Sequence, residues 1–95
     1  MADRALIYRL HAIERMFERN IRPGDVGRVL MEGEVIERYE DDIPYPSRLV
    51  LGTAGNRPVH VVAADIPGEN TTIVISVYEP DSGAWEDGFR RRKKR

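Results

Sequence analysis

His11 and His60 are the two imidazoles of this 95-residue chain, and arginines fall at useful positions near both. His11 and Arg15 are four residues apart, hence neighbours on one face of a helix, with Arg19 a further turn along and Tyr8 beside them. His60 lies in the Val-rich stretch Arg57 to Ile66, while Arg48 opens and Tyr78 closes the extended segments on either side. Adjacent strands would bring Arg48, His60 and Tyr78 to one face, subject to their register.

Such a set matches metal-independent cleavage of RNA. That reaction needs a base for the 2′-hydroxyl, an acid for the leaving oxygen, and cations against the negative charge gathering at phosphorus. Arginine suits the last role because its planar fork donates two hydrogen bonds to phosphate oxygens. Each residue also has a plainer reading. The His11 edge is a solvated helix face braced by Glu14 and Glu18, and His60 is a core histidine held neutral by one hydrogen bond.

Other chemistries fit less well. The two histidines and 16 carboxylates show no H-x-x-x-H, H-x-x-E-H or Asp-rich loop spacing, so no metal site or cofactor is expected. Ser47, Ser76 and Ser82 lack a nucleophile-elbow setting. The absence of cysteine removes disulfides, thiolate zinc sites and thiol nucleophiles.

Both lysines lie at the end of the chain, which excludes a P-loop lysine or Schiff-base chemistry in the body. Residues 1–89 hold nine arginines against all 16 acidic residues, a formal charge of −7, and Arg90-Arg91-Arg92-Lys93-Lys94-Arg95 is all cationic. This tail reads as a disordered solubilising end, as a counterion for the body, or as an arm that follows a phosphate backbone. On the last reading, Arg19, Arg90, Arg91, Arg92, Lys93 and Lys94 contact nucleic acid.

The elements that must position these residues follow from periodicity. Arg4 to Arg19 places Leu6, Leu10, Ile13 and Phe17 within about a 60° stripe, predicting one helix that turns this stripe to the core. A second helix starts near Pro23, carries Val26, Val29 and Leu30 inward and stops at Gly33. Glu34 to Glu40 alternates as an edge strand whose charges discourage further pairing. Ser47 to Ala54 and Arg57 to Ile66 form a hairpin about Gly55-Asn56, and Pro67-Gly68 turns the chain into a fourth strand, Thr71 to Tyr78. Trp85 and Phe89 are positioned to dock a following loop on the body. The expectation is one α+β domain over residues 1–89, with two N-terminal helices packed on a four-stranded antiparallel sheet, and a basic tail at 90–95. No apolar run long enough for a membrane span or a signal peptide is seen, so a cytoplasmic protein is expected.

His11-Ala12-Ile13-Glu14-Arg15-Met16-Phe17-Glu18-Arg19, the helix ending at Gly33, Tyr39, Pro46-Ser47-Arg48, Pro58-Val59-His60-Val61-Val62, Tyr78-Glu79-Pro80 and Trp85 together carry a resemblance. Over roughly residues 8–89 the chain resembles the bacterial domain of unknown function 4258 family, which looks similar to the RelE and BrnT toxins. The resemblance implies a RelE-like architecture and the metal-independent endoribonuclease toxin of a toxin–antitoxin pair. Its RNA-cutting set would be His11, Arg15, Arg48, His60 and Tyr78, and its protein partner an antitoxin of the YgiT zinc-finger class. The alternative is a non-catalytic module of the same fold whose tail binds nucleic acid or an acidic partner, and a metal-dependent hydrolase stands third.

Overall fold

A computed structural model describes residues 4–94; Met1 to Asp3 and the last tail cation, Arg95, lie outside the described residues. Strand β1 (Ala5–Tyr8) leads into helices α1 (Leu10–Arg19) and α2 (Pro23–Glu32). Strands β2 (Glu34–Tyr39), β3 (Ser47–Ala54), β4 (Arg57–Asp65) and β5 (Thr71–Tyr78) follow. The class is α+β, as the pattern of elements implied. The sheet is five-stranded and mixed, in the order β1-β5-β4-β3-β2. Neighbouring strands run antiparallel except β1, which pairs parallel to β5 with Ala5 opposite Thr71 and Tyr8 opposite Val74.

The expected helix over Arg4 to Arg19 therefore begins only at Leu10, and the four-stranded sheet gains a fifth member. The open edge of β5 offers unpaired backbone groups to Ala5-Leu6-Ile7-Tyr8, and a strand satisfies them. A partner 66 positions away leaves no mark on local periodicity. The correction also rotates α1. Its buried face is Ala12 and Met16, whereas Leu10 and Phe17 are 71% and 84% exposed. Ala12 lets the helix axis come close to the sheet, and Leu6 and Tyr8 pack against the core as strand residues. Asn20 ends α1 in the left-handed conformation, with φ 54°, which asparagine tolerates better than most residues.

Both helices pack on one face of the sheet, over a core that includes Val26, Val29, Val50, Val61, Val74 and Val77. Gly52 makes this packing possible, because a Cβ there would stand 2.8 Å from Val29 Cγ2 on α2. Gly52→Ala is accordingly expected to lower stability by about 1–3 kcal/mol, read as a fall in the urea midpoint. The C-terminal segment, residues 80–94, covers the opposite face, where Leu49, His60 and Trp85 are buried.

That segment is not a free tail. Arg92 forms a bridge with Trp85, the Glu86 N–H donates to the Arg91 carbonyl (2.8 Å), and the Lys93 N–H donates to the Ala84 carbonyl (2.9 Å). Arg90 pairs with Glu34 at 2.7 Å and Arg92 with Glu37 at 2.9 Å. A bulge at Ile36 puts Glu34 and Glu37 on the same sheet face, so the edge-strand carboxylates meet the tail cations. Arg92 also lies 4.7 Å over the Trp85 ring.

Candidate functional site

Strand β1 pairs with β5 only as far as Val74, so the edge of β5 beyond it is open. A cleft of about 270 Å³ lies there, lined by His11 and Arg15 from α1, Ser76 and Tyr78 from β5, and Asp81 and Trp85 from the C-terminal segment. His11 and Arg15 reach it because the polar shoulder of α1 is turned to this edge once Ala12 and Met16 are buried. Glu79, also at the cleft, is drawn aside by Arg57 (3.4 Å) and Arg19 (4.0 Å).

Behind the cleft sits His60, with no solvent exposure. Its Nε2 is 2.9 Å from the Phe89 carbonyl oxygen and its Nδ1 is 3.2 Å from the Tyr78 hydroxyl. A carbonyl can only accept, so Nε2 carries the hydrogen and Nδ1 accepts from the Tyr78 O–H. The ring meets Trp85 and Tyr78 edge-on, with centroids 4.5 Å and 5.2 Å apart. Burial lowers the His60 pKa from the ordinary value of 6.5, and burial likewise raises that of the Tyr78 phenol. The ring is therefore a neutral bracket. It fixes the Tyr78 hydroxyl from one side and the C-terminal segment from the other.

A histidine whose folded pKa is lowered binds fewer protons in the native than in the unfolded state below about 6.5. The stability it supports is present above that value and is lost as pH falls through it toward the lowered one. The melting temperature should drop between pH 7 and about 5, and His60→Gln should flatten that drop in thermal scans.

Arg48 does not join this group. It pairs in register with Ala63, while Leu51, His60 and Tyr78 form one cross-strand row. Arg48 and Leu51 are three residues apart, an odd number, so their side chains leave opposite faces of β3. The Arg48 guanidinium instead holds Asp65 at 3.3 Å, and Asp65 also accepts from Thr72 Oγ1 at 2.7 Å. Of the five residues singled out in the sequence, His11, Arg15 and Tyr78 meet at the cleft, His60 stands behind Tyr78, and Arg48 lies across the sheet. The two histidines do not share a pocket, and Tyr78 and Trp85 both line the cleft and touch His60.

Among the suggested nucleic-acid contacts, Arg90 and Arg92 are occupied by Glu34 and Glu37, while Arg91, Lys93 and Lys94 are exposed outside any ion pair among the described residues. Arg92 lowers the Glu37 pKa by hydrogen bonding. Burial, and then the Glu37 hydrogen bond, push Tyr39 up to about 12. This Glu37–Tyr39–Arg92–Trp85 network was not foreseen. The one sequence signal for it was the imbalance between an acidic body and its cationic end. Arg57 was also missed. Its guanidinium donates to the Arg19 carbonyl (2.6 Å) and the Asn20 carbonyl (3.0 Å), closing the end of α1. Arg57→Ala should cost about 1–2 kcal/mol by leaving these carbonyls without that donor, measurable by urea unfolding.

A family model described as Domain of unknown function (DUF4258) matches residues 8–79. The chain belongs to that family. The match runs from the end of β1 to the residue after Tyr78, so it contains His11, Arg15, Arg48, His60 and Tyr78 but not the C-terminal segment that covers His60. No curated protein and no solved structure matches the chain. Among the described residues of this DUF4258 member, no group of three or more His, Asp or Glu side chains is placed to hold a metal ion, and no helix is long and apolar enough to cross a membrane.

Proposed function

We propose that this protein is a metal-independent endoribonuclease, acting as the toxin of a toxin–antitoxin pair in the bacterial cytoplasm. The observation that carries this reading is the meeting of an exposed imidazole, an exposed guanidinium and a buried-end phenol at one solvent-open cleft. In it, His11 removes the proton from the 2′-hydroxyl that attacks phosphorus. The P–O5′ bond breaks as the 2′,3′-cyclic phosphate forms, and the leaving 5′ oxygen takes a proton from water, while the Tyr78 oxygen, its hydrogen donated to His60, positions the substrate. Arg15 binds the non-bridging oxygens as their charge rises. His60 acts through Tyr78 as a positioning residue, and Arg91, Lys93 and Lys94 contact the flanking backbone. The protein partner is an antitoxin of the YgiT zinc-finger class that covers the arginine-bearing face.

Purified protein should turn over RNA with chelator present, and Arg15→Ala should slow turnover by about 10²-fold. RNA left intact by protein that folds normally would overturn the proposal.

A second reading, a non-catalytic interaction module, is favoured by one specific fact. His60 is sealed and Arg48 is neutralised by Asp65, so two of the five residues are engaged in holding the fold. That reading requires RNA binding without turnover, weakening steeply with salt.

A further inference from the structure

A cavity of about 480 Å³ lies away from the His11 cleft, between the end of α2, the β3–β4 turn and the C-terminal segment. Its lining includes Gly33 and Gly52, where no Cβ fits, and the polar side chains of Thr53 and Asn56. Phe89 also lines it, and its backbone is unusual. With φ 60° it occupies the left-handed region, directly after Gly88 at φ 87°. That region is a true outlier for a bulky aromatic, and such conformations persist only where surrounding contacts hold them. Here the holding contacts are visible. The Phe89 N–H donates to the Glu86 carbonyl at 2.9 Å, and the Phe89 carbonyl accepts from buried His60 at 2.9 Å. The backbone that carries this aromatic residue is thus held in place at the wall of an open cavity.

The charges around the ring are equally specific. Arg90 is satisfied by Glu34 at 2.7 Å. Arg28 and Glu32, both exposed on the last turns of α2, have no ion-pair partner among the described residues. A ligand that satisfies this wall must offer a flat π-face, an anion and N–H donors together. A bare anion would gain Arg28 but face Glu32.

We infer that this cavity is a nucleotide subsite, in which a guanine base stacks on Phe89, its N1–H and exocyclic amine donate to the Glu32 carboxylate, and its phosphate is held by Arg28. The assignment rests on the RNA-directed reading above and names the unit of the strand that is gripped away from the cleavage cleft. Stacking on an aromatic ring is worth about tenfold or more in affinity per base, and a carboxylate accepts two parallel N–H donors from guanine that adenine cannot supply.

Calorimetric titration of the full chain with guanosine 5′-monophosphate, adenosine 5′-monophosphate and inorganic phosphate tests this. Guanosine monophosphate should bind most tightly and inorganic phosphate most weakly. Phe89→Ala and Arg28→Ala should each weaken guanosine monophosphate by about tenfold. Arg28 is exposed and has no ion-pair partner among the described residues, so its variant reports even if Phe89→Ala disturbs the fold. Equal affinity for inorganic phosphate, adenosine monophosphate binding as tightly as guanosine monophosphate, or indifference of Arg28→Ala would overturn the subsite. Binding of guanosine monophosphate should survive His11→Ala. RNA cleavage with no nucleotide binding would reject the subsite alone, whereas nucleotide binding without RNA turnover would support it and reject the cleavage reading.

Discussion

His11→Ala is expected to reduce RNA cleavage by about 10²–10⁴-fold while leaving the melting temperature unchanged. The size follows from the usual contribution of one positioned proton-transfer group. The neutrality toward stability follows from place. His11 is exposed on α1, takes part in no hydrogen bond or ion pair among the described residues, and lies on the shoulder opposite the apolar residues Leu10, Ile13 and Phe17. A single-turnover assay in chelator, set beside circular dichroism, separates the two effects. Cleavage at the parent rate in this variant would remove His11 from the chemistry.

His60→Ala should have the contrary profile, a large loss of stability. The imidazole has no exposure, fills the space between Tyr78 and Trp85, and is bonded at both nitrogens. Alanine would leave a cavity beneath Trp85 and would strand the Phe89 carbonyl, costing about 2–4 kcal/mol. For a domain of this size that corresponds to a melting temperature lower by more than about 10 °C. Because the Phe89 carbonyl anchors the C-terminal segment, protease sensitivity of residues 80–94 should rise in the same variant. His60→Gln keeps a donor and an acceptor and should recover part of the loss. If His60→Ala melts with the parent and keeps its C-terminal segment protected, the bracketing role assigned to this ring is wrong.

The contrast between the histidines shows what could be read from residue order. In a Val-rich strand His60 carried two readings, and the decision between them lay with Phe89, 29 positions on, and Trp85, which close over it. His11 and Arg15 were readable as a pair because helix geometry alone makes residues four apart neighbours. Arg48 was not, since strand register sets the face each side chain takes, and a shift of one residue reverses it.

The same division holds for the fold. Turn chemistry at Gly55-Asn56 and Pro67-Gly68 and the β-branched runs between them are local properties, so β3 and β5 were bounded correctly from residue order, and the class α+β with them. The charged edge strand over Glu34 to Glu40 was equally legible, its bulge excepted. Two features came only with tertiary structure. Ala5-Leu6-Ile7-Tyr8 is apolar enough for either a helix or a strand, and the open hydrogen-bonding edge of β5 decided for the strand, which in turn rotated α1 onto Ala12 and Met16. By composition the cationic end reads as a disordered end, a counterion for the body or a phosphate-following arm, and it was the bulge that brought Glu34 and Glu37 to one face and drew Arg90 and Arg92 onto the sheet. Short-range backbone preferences are written in neighbouring residues, whereas pairing edges and opposed charges act between segments that only the folded chain brings within a few ångströms.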